Sequence, residues 1–277
     1  MLKTRVLTVL VLLPLVLAAL FVGPPLVWSG FALFALSFGA WEWTRFARFD
    51  RAEQAVFISA FIALGAAWLL LPLACSWALI LDGFALLFWL LIVPFWLRQK
   101  WTLRHKWSSA LLGWLILLSA LAAVSRFREL NNGSVALLLV LAIAWVADIA
   151  AYFAGRAFGR RKLAPSISPG KSWEGVYGAL IAVSIYLVVL QQVGAPLVSS
   201  LSLMVLLPLG WALTGVSVMG DLFESLLKRQ TGLKDSSNLL PGHGGVLDRV
   251  DSLLALAPVA AALLFAYASH WLEFDCH

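Results

Sequence analysis

The stretch Asp221-Leu-Phe-Glu224-Ser225-Leu-Leu-Lys228-Arg229-Gln-Thr-Gly-Leu-Lys234-Asp235-Ser-Ser237-Asn-Leu-Leu240-Pro241-Gly242-His243-Gly244-Gly245-Val246-Leu-Asp248-Arg249-Val250-Asp251 is the densest polar segment of an otherwise apolar chain. Asp221, Glu224, Asp235, Asp248 and Asp251 alternate with Lys228, Arg229, Lys234, Arg249 and His243, and long apolar runs lie on both sides. Asp221, Glu224, Ser225 and Lys228 follow the i, i+3, i+4, i+7 spacing that puts side chains on one helix face. Asp248 and Asp251, three apart, share a face of a second helix. Pro241-Gly242 and Gly244-Gly245 break regular structure between the two. The stretch reads as helix, polar loop, helix, with carboxylates at both junctions. Carboxylate oxygens suit Mg²⁺, which takes one or two of them together with substrate phosphates. The glycines expose backbone N–H groups that can hold phosphate, and Lys and Arg add charge for the same anion. A loop that only sets topology needs cations but no ordered carboxylates, so this one is read as functional.

Working outward, hydrophobic residues make up 62% and charged residues 12% of the 277 positions. That is too apolar for a soluble domain and predicts an all-α polytopic integral membrane protein. Apolar runs extend from Met1 to Val22, Leu26 to Trp41, Ala55 to Leu71, Ala74 to Trp96, Ser108 to Val124, Ser134 to Phe153, Gly175 to Leu190, Val198 to Gly220 and Ser252 to Leu272. These are about nine spans, each near the roughly 20 residues a bilayer demands. The first is read as a retained span, since others follow and no small-residue cleavage site is evident. One membrane domain results, with N-terminal helices in 1–133 and the helices that carry the polar site in 134–277.

Charge sets the orientation. With the N-terminus inside, the inner segments hold Lys3, Arg5, Arg45, Arg48, Arg51, Arg98, Lys100, Arg104, Lys106, Arg156, Arg160, Arg161 and Lys162 beside the cations of the polar stretches, and the outer segments hold only Arg126 and Arg128. This positive-inside bias predicts a cytoplasmic N-terminus, an external C-terminus and a polar site on the cytoplasmic face. The net charge of +6 fits attraction to anionic lipid headgroups. It does not point to nucleic acid, because no basic patch is interleaved with aromatics on a soluble fold. The many Trp residues read as interfacial anchors. Cys75 and Cys276 form no metal or redox motif, and no disulfide between them is expected.

Two further stretches carry chemistry. Asp148 lies inside an apolar run, where a carboxylate costs about 2.5–3.5 kcal/mol unless it faces a polar cavity. Tyr152 lies one turn on, and Gly155 continues that face. The basic loop from Gly155 to Trp173 then holds Ser168-Pro169-Gly170-Lys171-Ser172-Trp173-Glu174-Gly175. Lys171 and Ser172 are placed near a helix N-terminus, which favours anions. Gly170-Lys171-Ser172 is not a phosphate-binding P-loop, since the upstream glycine and strand context are missing.

These motifs carry a resemblance. The runs Asp148-x₃-Tyr152-Phe153-x-Gly155, Ser168-Pro169-x-Lys171-Ser172-x-Glu174-Gly175 and Ser225-x-Leu-Lys228-Arg229-x₄-Lys234-Asp235-x-Ser237-x₂-Leu240-Pro241-x-His243-Gly244-Gly245-Val246-x-Asp248-Arg249-Val250-Asp251 resemble the signature of the phosphatidate cytidylyltransferases, or CDP-diacylglycerol synthases. The resemblance covers about Asp148 to Asp251. It implies that CTP (or dCTP) and phosphatidic acid give CDP-diacylglycerol and pyrophosphate with Mg²⁺, in a bacterial cytoplasmic membrane. Asp221, Asp248 and Asp251 are then the expected metal ligands. Lys171, Glu224, Lys228, Lys234, Asp235, His243 and Arg249 are expected to be catalytic. Asp148, Tyr152, Ser168, Ser172, Glu174, Ser225, Arg229, Gly244 and Gly245 are expected to line the substrates. A CTP-dependent lipid-alcohol kinase is the alternative. A transporter is disfavoured, because the polar residues gather in one half and on one face rather than in two related halves. Small residues between Ser134 and Phe153 permit close helix contacts, within the chain or across a homodimer.

Overall fold

The computed structural model describes residues 2–71 and 75–271, with side chains for 8–71 and 77–267. Cys276, Leu272 and His277 lie outside the described residues, as do the connection at Pro72 and the side chain of Cys75. The elements run α1 (Leu2–Phe21), α2 (Pro25–Phe46), α3 (Arg51–Leu70), α4 (Cys75–Leu86), a π-helical turn (Leu87–Ile92), α5 (Val93–Gln99), α6 (Lys106–Glu129), α7 (Gly133–Phe158), β1 (Lys162–Ala164), β2 (Ser168–Ser172), α8 (Trp173–Gln192), α9 (Leu203–Gln230) and α10 (Leu247–Trp271). The protein is a polytopic helical membrane protein. Among the described residues seven helical stretches are long and apolar enough to cross a bilayer, and the apolar part of α1, Thr8–Phe21, is shorter. The basic loop is not wholly irregular: β1 and β2 pair antiparallel within it, so the helical expectation gains one hairpin.

Local chemistry sets the helix ends. Pro24 precedes α2, and Pro25 occupies its first turn, where the missing N–H is no loss. Asp50 caps α3: its Oδ1 accepts from the Ala52 and Glu53 amides at 2.9 and 3.0 Å, and Glu53 returns a bond to the Asp50 amide at 2.8 Å. Ser172 caps α8 through the Gly175 amide at 3.2 Å. Several helices extend past their apolar runs because polar residues continue them: α7 reaches Phe158 and α9 reaches Gln230. α9 begins at Leu203 rather than Val198, since the chain turns at Leu197, whose φ is 71°.

Packing joins these rods in both directions. Small residues let α7 and α8 approach: a Cβ on Gly175 would sit 2.9 Å from the Ala151 carbonyl oxygen. The small face of α7 is therefore used within the chain. Trp28 and Trp43 are buried rather than interfacial, and their indoles donate to the Val124 and Ser109 carbonyls at 3.2 and 2.9 Å, stitching α2 to α6. Trp89 is buried too. At the end of the bundle away from the polar stretch, Arg126 holds both oxygens of Asp82 at 2.8 Å. Arg128 donates to the Leu20 and Gly23 carbonyls at 3.0 and 2.7 Å. The two cations of that end are thus fixed in structure.

Candidate active site

The C-terminal half of α9 and the first turns of α10 build the site. Gly220 permits it: a Cβ there would lie 2.6 Å from the Asp251 carbonyl oxygen and 2.9 Å from the Ala255 Cβ. With only hydrogen at that point the helices close up, and Asp251 comes within electrostatic reach of Asp221. On α9 the spacing expected from the sequence holds. Ser225 Oγ donates to Asp221 Oδ1 at 3.1 Å. Lys228 Nζ lies 3.2 Å from Glu224 Oε2 and 2.6 Å from Asp248 Oδ1, linking the two helices. The Glu224 contact is an ion pair without hydrogen-bond geometry, so both Glu224 oxygens are buried with no hydrogen-bond donor.

The loop between the helices is folded around two carboxylates. Asp248 Oδ2 accepts from the Ser236 amide, the Ser236 hydroxyl and the Gly245 amide, each at 2.8 Å. Glu42, on α2 and fully buried, accepts from Ser237 Oγ at 2.5 Å, the Val246 amide at 2.9 Å and the Leu247 amide at 2.7 Å, and its Oε2 lies 3.1 Å from Ser236 Oγ, whose single proton it shares with Asp248. Arg45 donates to the Ser236 carbonyl. Glu42 thus satisfies amides at the start of α10 and tethers an N-terminal helix to the polar loop. Gly244 has φ +80°, and a Cβ there would lie 2.7 Å from Asp248 Oδ2. Gly245 leaves room for Glu42 and Ser236. His243 Nδ1 is buried without a hydrogen-bond partner.

The hairpin supplies the third wall. Ile167 is buried in one apolar cluster with Leu222 and Leu226 of α9, and with the hairpin anchored there Lys171 Nζ lies 2.7 Å from Asp221 Oδ2. Glu174 clasps the start of the hairpin, accepting from the Arg160 and Arg161 amides at 3.1 and 3.2 Å. Arg229 Nε reaches the Ile167 carbonyl at 3.5 Å. Asp148 on α7 is exposed and interacts electrostatically with Lys171 and Asp221. The structure therefore gathers Asp148, Lys171, Asp221, Glu224, Ser225, Lys228, Asp248 and Asp251.

It leaves others at the margin. Tyr152 points away, exposed, its hydroxyl accepting from Arg156 at 3.1 Å. Ser168 opens β2 opposite Ala164. Ser172 and Glu174 hold backbone. Lys234, Asp235 and Arg249 are exposed, and none of their side chains makes a hydrogen bond or ion pair among the described residues. Glu42 was not singled out in the sequence. Its signal was available, a carboxylate one residue beyond the apolar run ending at Trp41, where burial demands a partner.

The donor set fits a divalent cation in one respect. Asp221 and Asp251 are within electrostatic reach of each other, and two such carboxylates in a helical bundle suit a hard cation. Among the described residues no group of three or more His, Cys, Asp or Glu is close enough to enclose a metal by itself. An ion here would be held by one or two carboxylates and would need substrate oxygens to complete its shell. Asp248 has less freedom, since both its oxygens already hold donors.

Comparison with known proteins agrees with the motifs. Residues 3–267 match the model of the cytidylyltransferase family. The chain is similar to the phosphatidate cytidylyltransferase of Pseudomonas aeruginosa, with 45% identity over 96% of this chain and 98% of that protein. It is also similar to those of Haemophilus influenzae, with 39% identity over 96% and 99%, and Brucella suis, with 39% identity over 99% and 96%. On a match that spans nearly its whole length, the chain belongs to the cytidylyltransferase family.

Proposed function

We propose that the protein transfers the cytidylyl group of CTP to phosphatidic acid, giving CDP-diacylglycerol and pyrophosphate. The observation that carries this reading is the alternation Asp148, Lys171, Asp221, Asp251, Lys228, Asp248 across three helices and a hairpin. A phosphate monoester, with a second pKa near 6, is already an anionic nucleophile at neutral pH. An oxygen of that phosphate attacks the α-phosphorus, the bond from the α-phosphorus to the bridging oxygen breaks, and pyrophosphate leaves with the electron pair. No strong base is needed. The difficulty is to align two anions, so the protein supplies cations and fixed geometry.

Asp221 and Asp251 are the proposed holders of Mg²⁺, with Asp148 beside them. When bound, the ion would neutralise triphosphate charge and orient it. Lys171, carried by the anchored hairpin, places a cation at the same point. Lys228 fixes Asp248 and hence the 236–245 loop, which offers the His243 ring to phosphate. Lys234, Arg229 and Arg249 present exposed charge to the triphosphate or lipid phosphate. The diacyl chains stay in the bilayer and reach the site laterally. The reading includes about nine spans, a cytoplasmic N-terminus, an external C-terminus and the bacterial inner membrane, because every cation-rich connection lies at the site's end of the bundle.

Label position tests the reaction. Purified protein given phosphatidic acid, Mg²⁺ and CTP should move ³²P from the α-position into lipid and none from the γ-position. Label from γ alone would assign a lipid kinase instead. Single cysteines at Lys100 and Lys234 should resist an impermeant reagent in intact cells, and labelling at Lys234 would reverse the orientation.

A further inference from the structure

A polar cavity of about 380 Å³ opens beside the active site but shares none of its gathered charged residues. Its walls are the turn after α2, the connection before α6, and the last turn of α9. Arg48, Arg104, His105 and Lys106 line it, and no carboxylate does. Lys106 is compensated by Glu53 at 2.6 Å. Arg48 reaches only the Gln230 carbonyl, at 3.4 Å, and Arg104 makes no side-chain hydrogen bond or ion pair among the described residues. Two guanidinium groups therefore face one cavity without counter-charge. Guanidinium matches phosphate oxygens in a planar, forked geometry.

The cavity is also placed at a defined depth. Trp101 and Trp107, both exposed, bracket its loop wall between two membrane-length helices, and tryptophans at span ends are enriched at headgroup level. That wall is held: Gln230 Nε2 donates to the Lys100 and Trp101 carbonyls at 3.3 and 2.8 Å, and Trp96 Nε1 to Trp101 at 2.7 Å. Arg48 and Lys100, at either side, adopt φ of 54° and 53°, a conformation that non-glycine residues rarely hold and that gathers at functional sites.

We propose that this cavity binds the phosphodiester headgroup of an anionic bilayer phospholipid that is not the reacting substrate. Depth and charge argue for lipid over a soluble phosphate: basic pockets between helices at the cytoplasmic surface suit such headgroups. The bound lipid would brace the last turn of α9, where Leu227 and Gln230 line the cavity on either side of Lys228 and Arg229.

The test reads binding without turnover, so it stands apart from the reaction proposed above. Full-length protein in phosphatidylcholine micelles is titrated with phosphatidylglycerol, and retained lipid is measured by native mass spectrometry. Phosphatidylglycerol should be retained about tenfold over phosphatidylcholine, in keeping with two cations near the surface. Arg48→Gln combined with Arg104→Gln should abolish the preference. Arg48→Lys combined with Arg104→Lys, which keeps the charge, should keep much of it. If the glutamine pair does not fold, Arg104→Gln alone, at an exposed side chain, should lower the preference several-fold, and an unchanged preference there overturns the proposal. Equal retention of both lipids by the wild type, or an unchanged preference in a folded glutamine pair, overturns the proposal. Displacement of phosphatidylglycerol by millimolar inorganic phosphate or CTP overturns it in favour of a soluble anion.

Discussion

Asp248 and Asp251 stand one helical turn apart on α10, yet they meet different surroundings. Asp248 faces the loop, where Lys228, two Ser236 groups and the Gly245 amide occupy its oxygens. Asp251 faces α9 and, among the described residues, accepts its neighbour's amide alone, that of Ser252 at 2.6 Å. The division extends through the polar region. Glu42 joins Asp248 as a carboxylate whose bonds fold the loop. Asp221, Glu224 and Asp148 join Asp251 as carboxylates that have few donors or none. A saturated carboxylate fixes geometry, whereas an under-bonded one in a bundle interior retains lone pairs for a ligand. On the proposed reading, chemistry falls to the under-bonded carboxylates and architecture to their saturated neighbours.

Substitutions can break that division. The largest effect is expected at the under-bonded end: Asp221→Asn and Asp251→Asn keep shape and remove a hard anionic ligand. Turnover should fall about a thousandfold, with the thermal midpoint in detergent little changed. A loss of stability that matches the loss of rate would place these residues with Asp248. At the saturated end the order reverses. Glu42→Gln turns one acceptor into a donor facing donors, and should cost about 3 kcal/mol of stability, read as a lower thermal midpoint and a reduced monodisperse fraction. A stable Glu42→Gln enzyme would show that the loop does not depend on α2.

Gly244→Ala sharpens the picture. Its φ of +80° and the 2.7 Å approach to Asp248 Oδ2 predict a cost of about 2 kcal/mol, together with slowed turnover, since the same movement displaces Asp248. Unaltered stability would mean that the loop can relax without that contact. The smallest effect belongs to the exposed cation Lys234. Lys234→Ala should raise the KM for CTP about tenfold, the worth of one charge-assisted hydrogen bond, and leave kcat and the midpoint unchanged. A fall in kcat alone would move Lys234 into the reacting centre.

Much of this was legible in the residues. Apolar run lengths mark the helices, because a bilayer leaves backbone no partner but itself. The 3.6-residue period alone puts Asp221, Glu224, Ser225 and Lys228 on one face, and Gly-rich punctuation marks the loop. Ser172 as a cap follows from local chemistry. These are short-range properties, fixed within a few residues of chain.

The partition of the carboxylates is not short-range. Glu42 and Ser237 are 195 positions apart, and no periodicity in either segment declares their bond. Asp248 and Asp251 look equivalent in sequence, since each is an aspartate near the start of one helix. The arrival of Ser236 and Lys228 at Asp248, and of α9 at Asp251 through the gap left by Gly220, makes them different. Lys171 is similar: its basic loop is evident, but its place on Asp221 depends on Ile167 entering an apolar site on α9. Helices, their faces and the donors within one helical turn, such as Ser225 on Asp221, were determined by the sequence through local geometry and the bilayer, whereas the distant donors, Ser236 and Lys228 on Asp248 and Ser237 on Glu42, were decided by packing, because hydrogen bonds between distant segments exist only once those segments are in contact.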